Sequence, residues 1–320
     1  MASHKQLANW YSQLAQHLES GTRLAEAFMI CSGPPSTDRL RMGEAIATGT
    51  PIETVMDSAP SWLPRADRIF ICTAMETGRL PQTLQNLSIR HEQIGATQMK
   101  VVMALIYPLG VFHLAALIVP VVSMIDFETG FEWSASQHAL QSAALLVPVW
   151  LVIGGILLLI KTHNPLLPRL LRGIPLLRRY SKAQALADLA YSLGTFLQAG
   201  VPIQHAWRES VRLSGDPQLN KAYQSMEPLF ERGEDPAHYL KQHPVFPPDF
   251  VAFYSAGAQS GQLDAMLLKA GGQFQQQANQ AMTFAAIVYP TLLFFAVAAF
   301  IIYTIFQIFG GYLKMLDTIA

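Results

Sequence analysis

The sequence predicts an all-α membrane protein that contains two repeated cytoplasmic helical bundles and three transmembrane helices. Three observations predict this fold class: two segments that resemble each other, three long apolar stretches, and no strand-like alternation of polar and apolar residues. Of the 320 residues, 51% are hydrophobic and 14% are charged. This composition is typical of an integral membrane protein.

Two segments about 180 residues apart read as copies of one another. LANWYSQLAQHLESGTRLAEAF (7–28) aligns without a gap with LADLAYSLGTFLQAGVPIQHAW (186–207). Within these segments the matches include Leu14/Leu193 and Gly21/Gly200. Matches in the same order resume further along the chain with Pro64/Pro247, Gly78/Gly261 and Tyr107-Pro108/Tyr289-Pro290. Self-similarity in one register indicates a duplicated structural unit.

Three apolar segments without Asp, Glu, Lys or Arg reach the length of about 20 residues that a helix needs to cross a bilayer. They are 101–125, 139–160 and 284–309, and they divide the rest of the chain. The remaining segments are predicted to be a first cytoplasmic repeat (1–100), an external connector (126–138), a basic linker with the second cytoplasmic repeat (161–283) and an external tail (310–320).

Charge on either side of the second apolar segment predicts its orientation. The connector contains Asp126, Glu128 and Glu132 and no Lys or Arg, whereas six basic residues follow position 160: Lys161, Arg169, Arg172, Arg178, Arg179 and Lys182. Because basic loops stay on the cytoplasmic side, the connector and tail should lie outside and both repeats inside. The amino terminus lacks the apolar stretch of a cleaved signal peptide, and the charge asymmetry predicts that it is cytoplasmic.

Glycine and proline predict where the helices of each repeat begin and end. Gly21 and Gly200 follow helical patterns, as do Gly78 and Gly261 in Thr-Gly and Ser-Gly pairs, and glycine adopts the left-handed cap conformation without steric cost. Pro64 and Pro247 should precede a helix in each repeat. After Pro81 no proline occurs before Tyr107-Pro108, so the last helix of each bundle could continue into the membrane.

Several chemical functions are excluded or disfavoured. The chain has 22 basic and 22 acidic residues and no Gly-x-x-x-x-Gly-Lys-Ser/Thr phosphate loop, so we expect neither direct nucleic-acid binding nor a nucleotide site. No catalytic, cofactor-binding or metal-binding residues are predicted. The spacing of His238 and His243 is poor for two ligands of one metal ion. Cys31 and Cys72 are expected to be buried thiols. His113, within the first apolar segment, is either a proton relay or an imidazole bonded to a neighbouring helix.

The second repeat is the more acidic of the two. Its residues 183–283 contain six basic and nine acidic side chains, whereas the first 100 residues contain nine of each. Four of these acidic residues form a candidate contact for a basic partner surface: Glu227, Glu231, Glu234 and Asp235. The alternative interpretation is an ordinary solvated bundle surface.

The ordered motifs resemble the F-family inner-membrane platform proteins of type II secretion systems and type IV pili. The matching residues are Ala199-Gly200-Val201-Pro202, Thr77-Gly78-Arg79-Leu80, Ser260-Gly261-Gln262-Leu263 and the two Tyr-Pro pairs. The resemblance implies a non-enzymatic, multi-pass platform in a bacterial inner membrane. It also implies contacts with a hexameric motor ATPase, pilin-like proteins, other platform components, membrane lipids and further copies of the chain.

Two departures from the family pattern matter. Many relatives have a glutamate three residues before the glycine of the Ser/Thr-Gly turn, where this chain has Met75 and Ala258, so a metal site based on that glutamate is doubtful. The chain also begins almost directly at the first repeat.

A small transporter or channel subunit and an intramembrane enzyme are the competing interpretations. Three apolar segments without acidic or basic residues favour neither.

Overall fold

The structure is a computed structural model, and it describes residues 3–122, 124–126, 130–131, 133–161, 173–234 and 236–319. The first half contains six helices: α1 (His4–Glu19), α2 (Leu24–Ile30), α3 (Ser36–Ala47), α4 (Ile52–Asp57), α5 (Arg65–Glu76) and α6 (Leu80–Val122). A two-residue antiparallel ladder, β1 (Ile125–Asp126) with β2 (Gly130–Phe131), precedes α7 (Ala135–Lys161). Six helices follow: α8 (Pro175–Gln198), α9 (Ile203–Ser214), α10 (Pro217–Glu231), α11 (Ala237–Gln242), α12 (Pro248–Ser260) and α13 (Leu263–Ile319).

The described residues fall into two compact units. Unit 1 comprises Met1–Gln98 with Tyr180–Gln280, and unit 2 comprises Met99–Arg179 with Ala281–Ala320. The first part of unit 1 contains α1–α5 and the beginning of α6, and we call it the first bundle. The second part contains most of α8, all of α9–α12 and the beginning of α13, and we call it the second bundle.

Local sequence signals explain the helix ends of the first bundle. Ser3 caps α1 in a capping box, in which its hydroxyl accepts from the Gln6 backbone and the Gln6 side chain accepts from the Ser3 backbone. Gly21, with φ of 86°, and Gly78, with φ of 70°, lie just beyond α1 and α5. Pro64 is the residue before the first turn of α5. Its fixed φ suits a helix start.

The second bundle uses the same residue types at its helix ends. Pro202 and Pro247 immediately precede α9 and α12, and Gly261, with φ of 70°, ends α12. Asp216 caps α10 by accepting from the backbone N–H groups of Gln218 and Leu219 at 2.7 and 3.2 Å. α8 starts at Pro175, so three residues of the predicted basic stretch, Arg178, Arg179 and Lys182, lie on a helix. Proline at the first helical position is compatible with that early start.

The core of each bundle consists of large side chains from the periodic helix faces. Trp10, Tyr11, Leu14, Phe28, Phe70 and Leu87 are fully buried in the first bundle, and Leu189, Leu193, Trp207, Phe250, Tyr254 and Leu267 are fully buried in the second. Trp10 packs edge-on against Phe28 and Trp62, with ring centroids 5.2 and 5.5 Å apart. Such pairs add to the free energy of burial.

Among the described residues, two helices have apolar stretches long enough to cross a membrane, within Leu80–Val122 and Ala135–Gly155. Their side chains are widely exposed; Leu114, Leu151 and Val152 each expose 59% or more of their surface. Exposed leucine and valine at this density are suited to lipid rather than water. The fold class is thus confirmed in a coarser form, as a helical protein with two candidate membrane spans.

The predicted third span, 284–309, lies within α13, which is a single helix from Leu263 to Ile319. With 1.5 Å per residue, its 57 residues extend for about 86 Å. Likewise α6 is unbroken over 43 residues, or about 64 Å, although Pro108 and Pro120 lie within it. Both helices exceed the roughly 30 Å hydrocarbon thickness of a bilayer.

Candidate functional site

The two bundles of unit 1 meet through an aromatic contact. Phe70 on α5 packs against Tyr191 and Phe196 on α8, with ring centroids 5.9 and 5.2 Å apart. Phe70 and Phe196 expose only 1% and 3% of their surface. The contact therefore removes large apolar side chains of both bundles from water, which favours their association.

A polar cluster lies beside this aromatic contact. The Arg90 guanidinium of α6 forms an ion pair with Asp188 of α8 and lies 4.5 Å from the centroid of the Tyr191 ring. The Gln184 side chain donates to the same Asp188 oxygen at 3.0 Å. Burial raises the pKa of the Asp188 carboxyl, and Arg90 opposes that rise. Arg90 therefore stabilises the charged form of Asp188 at the junction of the two bundles.

A second polar cluster is buried inside the first bundle. The Tyr11 hydroxyl donates to Oδ2 of Asp67 at 2.7 Å, and Nε2 of His91 lies 2.8 Å from the same oxygen. The other ring nitrogen of His91, Nδ1, lies 2.7 Å from Nδ1 of His4. The side chains of Asp67 and His91 are each 5% exposed. We call Tyr11, Asp67, His91 and His4 the buried polar cluster.

Burial shifts the titration of two members of this cluster. It raises the pKa of Tyr11, and the neighbouring Asp67 raises it further by disfavouring a second negative charge. The pKa of His4 is lowered from 6.5 to about 4, first by burial and then by the adjacent His91. Because Asp67 accepts from two donors, loss of this carboxylate would leave both donors without a partner inside the bundle.

In the predicted alignment of the two repeats, two residues of this cluster align with apolar residues. In the register that pairs Pro64 with Pro247, Asp67 and His91 correspond to Phe250 and Phe274. Those two phenylalanine rings contact each other with centroids 6.4 Å apart. In this sequence register, a hydrogen-bonded pair of the first bundle aligns with an aromatic pair of the second.

Two close backbone approaches join α8 to α13 within the second bundle. A Cβ at Gly271 would lie 2.9 Å from the Tyr191 backbone nitrogen, and one at Gly194 would lie 2.9 Å from the Asp264 carbonyl oxygen. Only glycine fits at such distances without movement of the neighbouring backbone. These two positions fix the separation of α8 and α13, and with it the position of Tyr191.

In unit 2, two histidines join α6 to α7. The Trp150 indole N–H donates to Nε2 of His113 at 3.0 Å, while Nδ1 of His113 lies 2.6 Å from the Leu109 carbonyl oxygen. Nε2 of His138 lies 3.0 Å from the Leu117 carbonyl oxygen. Both nitrogens of His113 are thus engaged, which supports the structural alternative over a proton relay.

Comparison with known proteins now identifies the family. The family profile described as type II secretion system (T2SS), protein F matches residues 10–125 and residues 189–310. The chain belongs to the type II secretion system protein F family. The match covers most of both bundles and the apolar parts of α6 and α13, but not α7. The resemblance predicted from the sequence motifs is confirmed.

Individual relatives in the protein F family carry secretion and pilus names. The chain is 26% identical over 307 residues to a type 4 fimbrial assembly protein PilC of Pseudomonas putida, covering 86% of this chain and 75% of the relative. It is 21% identical over 327 residues to a type II secretion system protein F of Vibrio cholerae, covering 95% and 80%. A third relative, the protein F of Aeromonas hydrophila, is 23% identical over 340 residues, with coverage of 98% and 87%.

The protein F motif residues lie at helix boundaries and in the apolar helices. The four glycines Gly21, Gly78, Gly200 and Gly261 all have positive φ, between 70° and 86°. Pro64 and Pro247 precede α5 and α12. Tyr107-Pro108 and Tyr289-Pro290 lie inside α6 and α13, where Tyr107 is 75% exposed. The structural role that the sequence motifs assign to these residues stays a prediction.

The candidate acidic contact is less highly charged than its sequence suggests. Glu227 forms an ion pair with Arg208 at 2.8 Å, and Glu234 forms one with Arg232 at 2.6 Å. Glu231 is the last residue of α10, and Asp235 lies outside the described residues. The two arginines therefore neutralise part of the predicted acidic surface.

No group of three or more His, Cys, Asp or Glu residues able to hold a metal occurs in the part of the chain that the structure describes. Cys31 and Cys72 are free thiols; Cys31 is buried and Cys72 is half-buried. Burial raises the pKa of Cys72 to about 11, with nearby carboxylates adding to the rise. A high pKa disfavours the reactive thiolate, which is consistent with a structural role.

Sequence reasoning missed both polar clusters. One signal was present in the helix pattern: Asp67 lies on the same face as Phe70, Ile71 and Ala74, all of which are buried in α5. A carboxylate on an apolar face requires a partner. The pattern does not indicate which residue of another helix supplies that partner.

Proposed function

We propose that this protein is a non-enzymatic inner-membrane platform for assembly of a type II secretion pseudopilus or a type IV pilus. In this role it couples a cytoplasmic motor ATPase to pilin-like subunits. The main support for this proposal is the match of the protein F family profile to both halves of the chain. Relatives named for type II secretion and for fimbrial assembly support the same role.

The proposal includes duplication of the bundles and three membrane crossings. The separate matches at residues 10–125 and 189–310 support the duplication. The unbroken helix α13, which contains the apolar stretch 284–309, supports a third crossing in addition to the two candidate spans. We infer that both bundles lie in the cytoplasm, where a motor ATPase could contact them. The basic residues that follow the second apolar stretch lead into the second bundle, and basic flanks stay on the cytoplasmic side.

Reporter fusions test this topology. Reporters fused after Ser134 and after Lys314 should be active only outside the cytoplasm, and those after Gly173 and Gly215 only inside. A cytoplasmic signal at Ser134 would reverse the orientation and remove the proposed contact between the bundles and a cytosolic motor.

The second bundle is the proposed contact for the motor ATPase, through Glu227, Glu231, Glu234 and Asp235. Charge reversal at Glu227 and Glu234 should weaken ATPase binding, and the effect should be larger at low than at high salt because surface charges are screened within about 8–10 Å. The matched control reverses two exposed carboxylates of the first bundle, Glu19 and Glu44. Binding that survives the first pair of changes but not the second would move the contact to the first bundle.

A further inference from the structure

A groove opens on the second bundle, away from the acidic residues proposed above. It has a volume of about 560 Å³ and lies between the amino-terminal part of α8, the start of α10 and the segment between α11 and α12. Its lining includes Lys182 and Leu186 from α8, Leu219 and Lys221 from α10, and Val245 from the connecting segment. We refer to it as the α8–α10 groove.

The groove is formed by fixed parts of the bundle. Its wall includes Pro244 and Pro247, and Phe246 between them is buried with its ring 5.3 Å from that of Phe250 and 6.0 Å from that of Trp207. Phe246 thereby anchors the wall to the core. A groove whose shape exists before binding loses little conformational entropy when a ligand enters.

The floor of the groove is apolar, and its rim is positively charged. Leu186, Leu219 and Val245 provide the apolar surface. Lys182 and Lys221 are exposed, and neither forms an ion pair with the described residues. The acidic residue of the lining, Asp216, is buried and already accepts from two backbone N–H groups of α10.

The two lysines at the groove differ from the arginines of the second bundle in that they are not paired with a described residue. Glu227, Glu209 and Glu234 are each paired with an arginine. Neither groove lysine forms an ion pair with the described residues, and the carboxylate in the lining, Asp216, accepts from backbone N–H groups. Unpaired cations on two helices, on either side of an apolar floor, complement a segment that carries both carboxylates and apolar side chains. A flat anionic membrane surface would satisfy the lysines and leave the concave apolar floor empty.

We propose that the α8–α10 groove docks an acidic segment with apolar side chains, contributed by a partner protein. Carboxylates of the segment pair with Lys182 and Lys221, and its apolar side chains contact Leu186 and Val245. This surface differs in charge and in position from the acidic contact proposed for the motor, so the second bundle has separate sites for two partners of opposite charge.

The test uses the full-length protein in neutral-lipid nanodiscs and a fluorescent peptide of about 12 residues that alternates glutamate and leucine. Fluorescence anisotropy should detect binding, and Lys182→Glu with Lys221→Glu should weaken it by about tenfold at low salt. The control, Lys241→Glu with Lys269→Glu, makes the same change in charge at exposed lysines outside the groove. It should change the affinity by less than about twofold.

Two further probes separate the alternatives. A peptide that alternates glutamate and serine should bind about tenfold more weakly than the glutamate–leucine peptide, since it cannot use the apolar floor. Equal binding of both peptides, or equal weakening by both pairs of lysine changes, would overturn the proposal. Binding of short-chain phosphatidylglycerol that depends on Lys182 and Lys221, without peptide binding, would overturn it in favour of a lipid site. The chain is tested alone, so the outcome is independent of the platform proposal.

Discussion

Replacement of Asp67 by leucine should destabilise the first bundle selectively. In the structure Asp67 Oδ2 accepts from the Tyr11 hydroxyl at 2.7 Å and lies 2.8 Å from Nε2 of His91, and the carboxylate is 5% exposed. Asp67→Leu leaves two buried donors without a partner, at a cost of about 1–3 kcal/mol each. We therefore expect a loss of stability of about 3 kcal/mol or more from the two donors together.

Hydrogen–deuterium exchange of the full-length protein measures this loss locally. Protection of α1 and α5 should fall by about a hundredfold or more, since 1.4 kcal/mol corresponds to a factor of 10. The control Asp249→Leu removes an exposed carboxylate from the first turn of α12, and it should cost below about 1 kcal/mol.

A double variant tests the cause of the destabilisation. Adding Tyr11→Phe to Asp67→Leu removes one of the two orphaned donors, so the double variant should be more stable than Asp67→Leu alone by about 1 kcal/mol. Wild-type protection in Asp67→Leu, or additive destabilisation in the double variant, would refute the account of the buried polar cluster.

Three other predictions follow from the contacts of unit 1. The lowered pKa of His4 means that its contribution to stability is complete above pH 6.5 and is lost as the pH falls from about 6.5 towards 4. In hydrogen–deuterium exchange across this range, His4→Gln should therefore reduce the pH dependence of amide protection in the first bundle. Arg90→Leu leaves Asp188 without its counter-charge and should lower the protection of α8 by about 2 kcal/mol, whereas unchanged protection would assign the junction to its aromatic contact alone. Gly271→Ala should destabilise the second bundle, because the new Cβ meets the Tyr191 backbone. The control Gly272→Ala, where the space is open, should stabilise α13 by about 0.5–1 kcal/mol in thermal unfolding. Changes in stability of the same sign in both variants would contradict the close approach of α8 and α13.

The predictable part of the fold depends on local chemistry. Glycine at a left-handed cap and proline before a helix act within a few residues, so Gly261 and Pro247 are recognisable from the sequence. The long apolar stretches are equally local signals. In contrast, the pair Asp67–His91 and the pair Arg90–Asp188 join residues that are 24 and 98 positions apart. Their pairing depends on how the helices pack, and no periodicity within a single helix specifies it.

The candidate acidic contact illustrates the same limit. Counting charges placed Glu227 and Glu234 in a candidate contact for a basic partner, because a count treats each carboxylate separately. The fold places Arg208 next to Glu227, although they are 19 positions apart in the sequence. An ion pair of this kind forms between neighbouring helices, and composition alone does not report which charges remain unpaired.

Isolation of the tagged protein from native membranes, followed by mass spectrometry of the proteins that co-purify, tests the central claim most directly. A platform should be recovered as an oligomer together with a secretion or pilus motor ATPase and pilin-like subunits. Recovery of an intact, folded protein without the ATPase or pilin-like subunits, under conditions that preserve other complexes of the same membrane, would contradict the platform role.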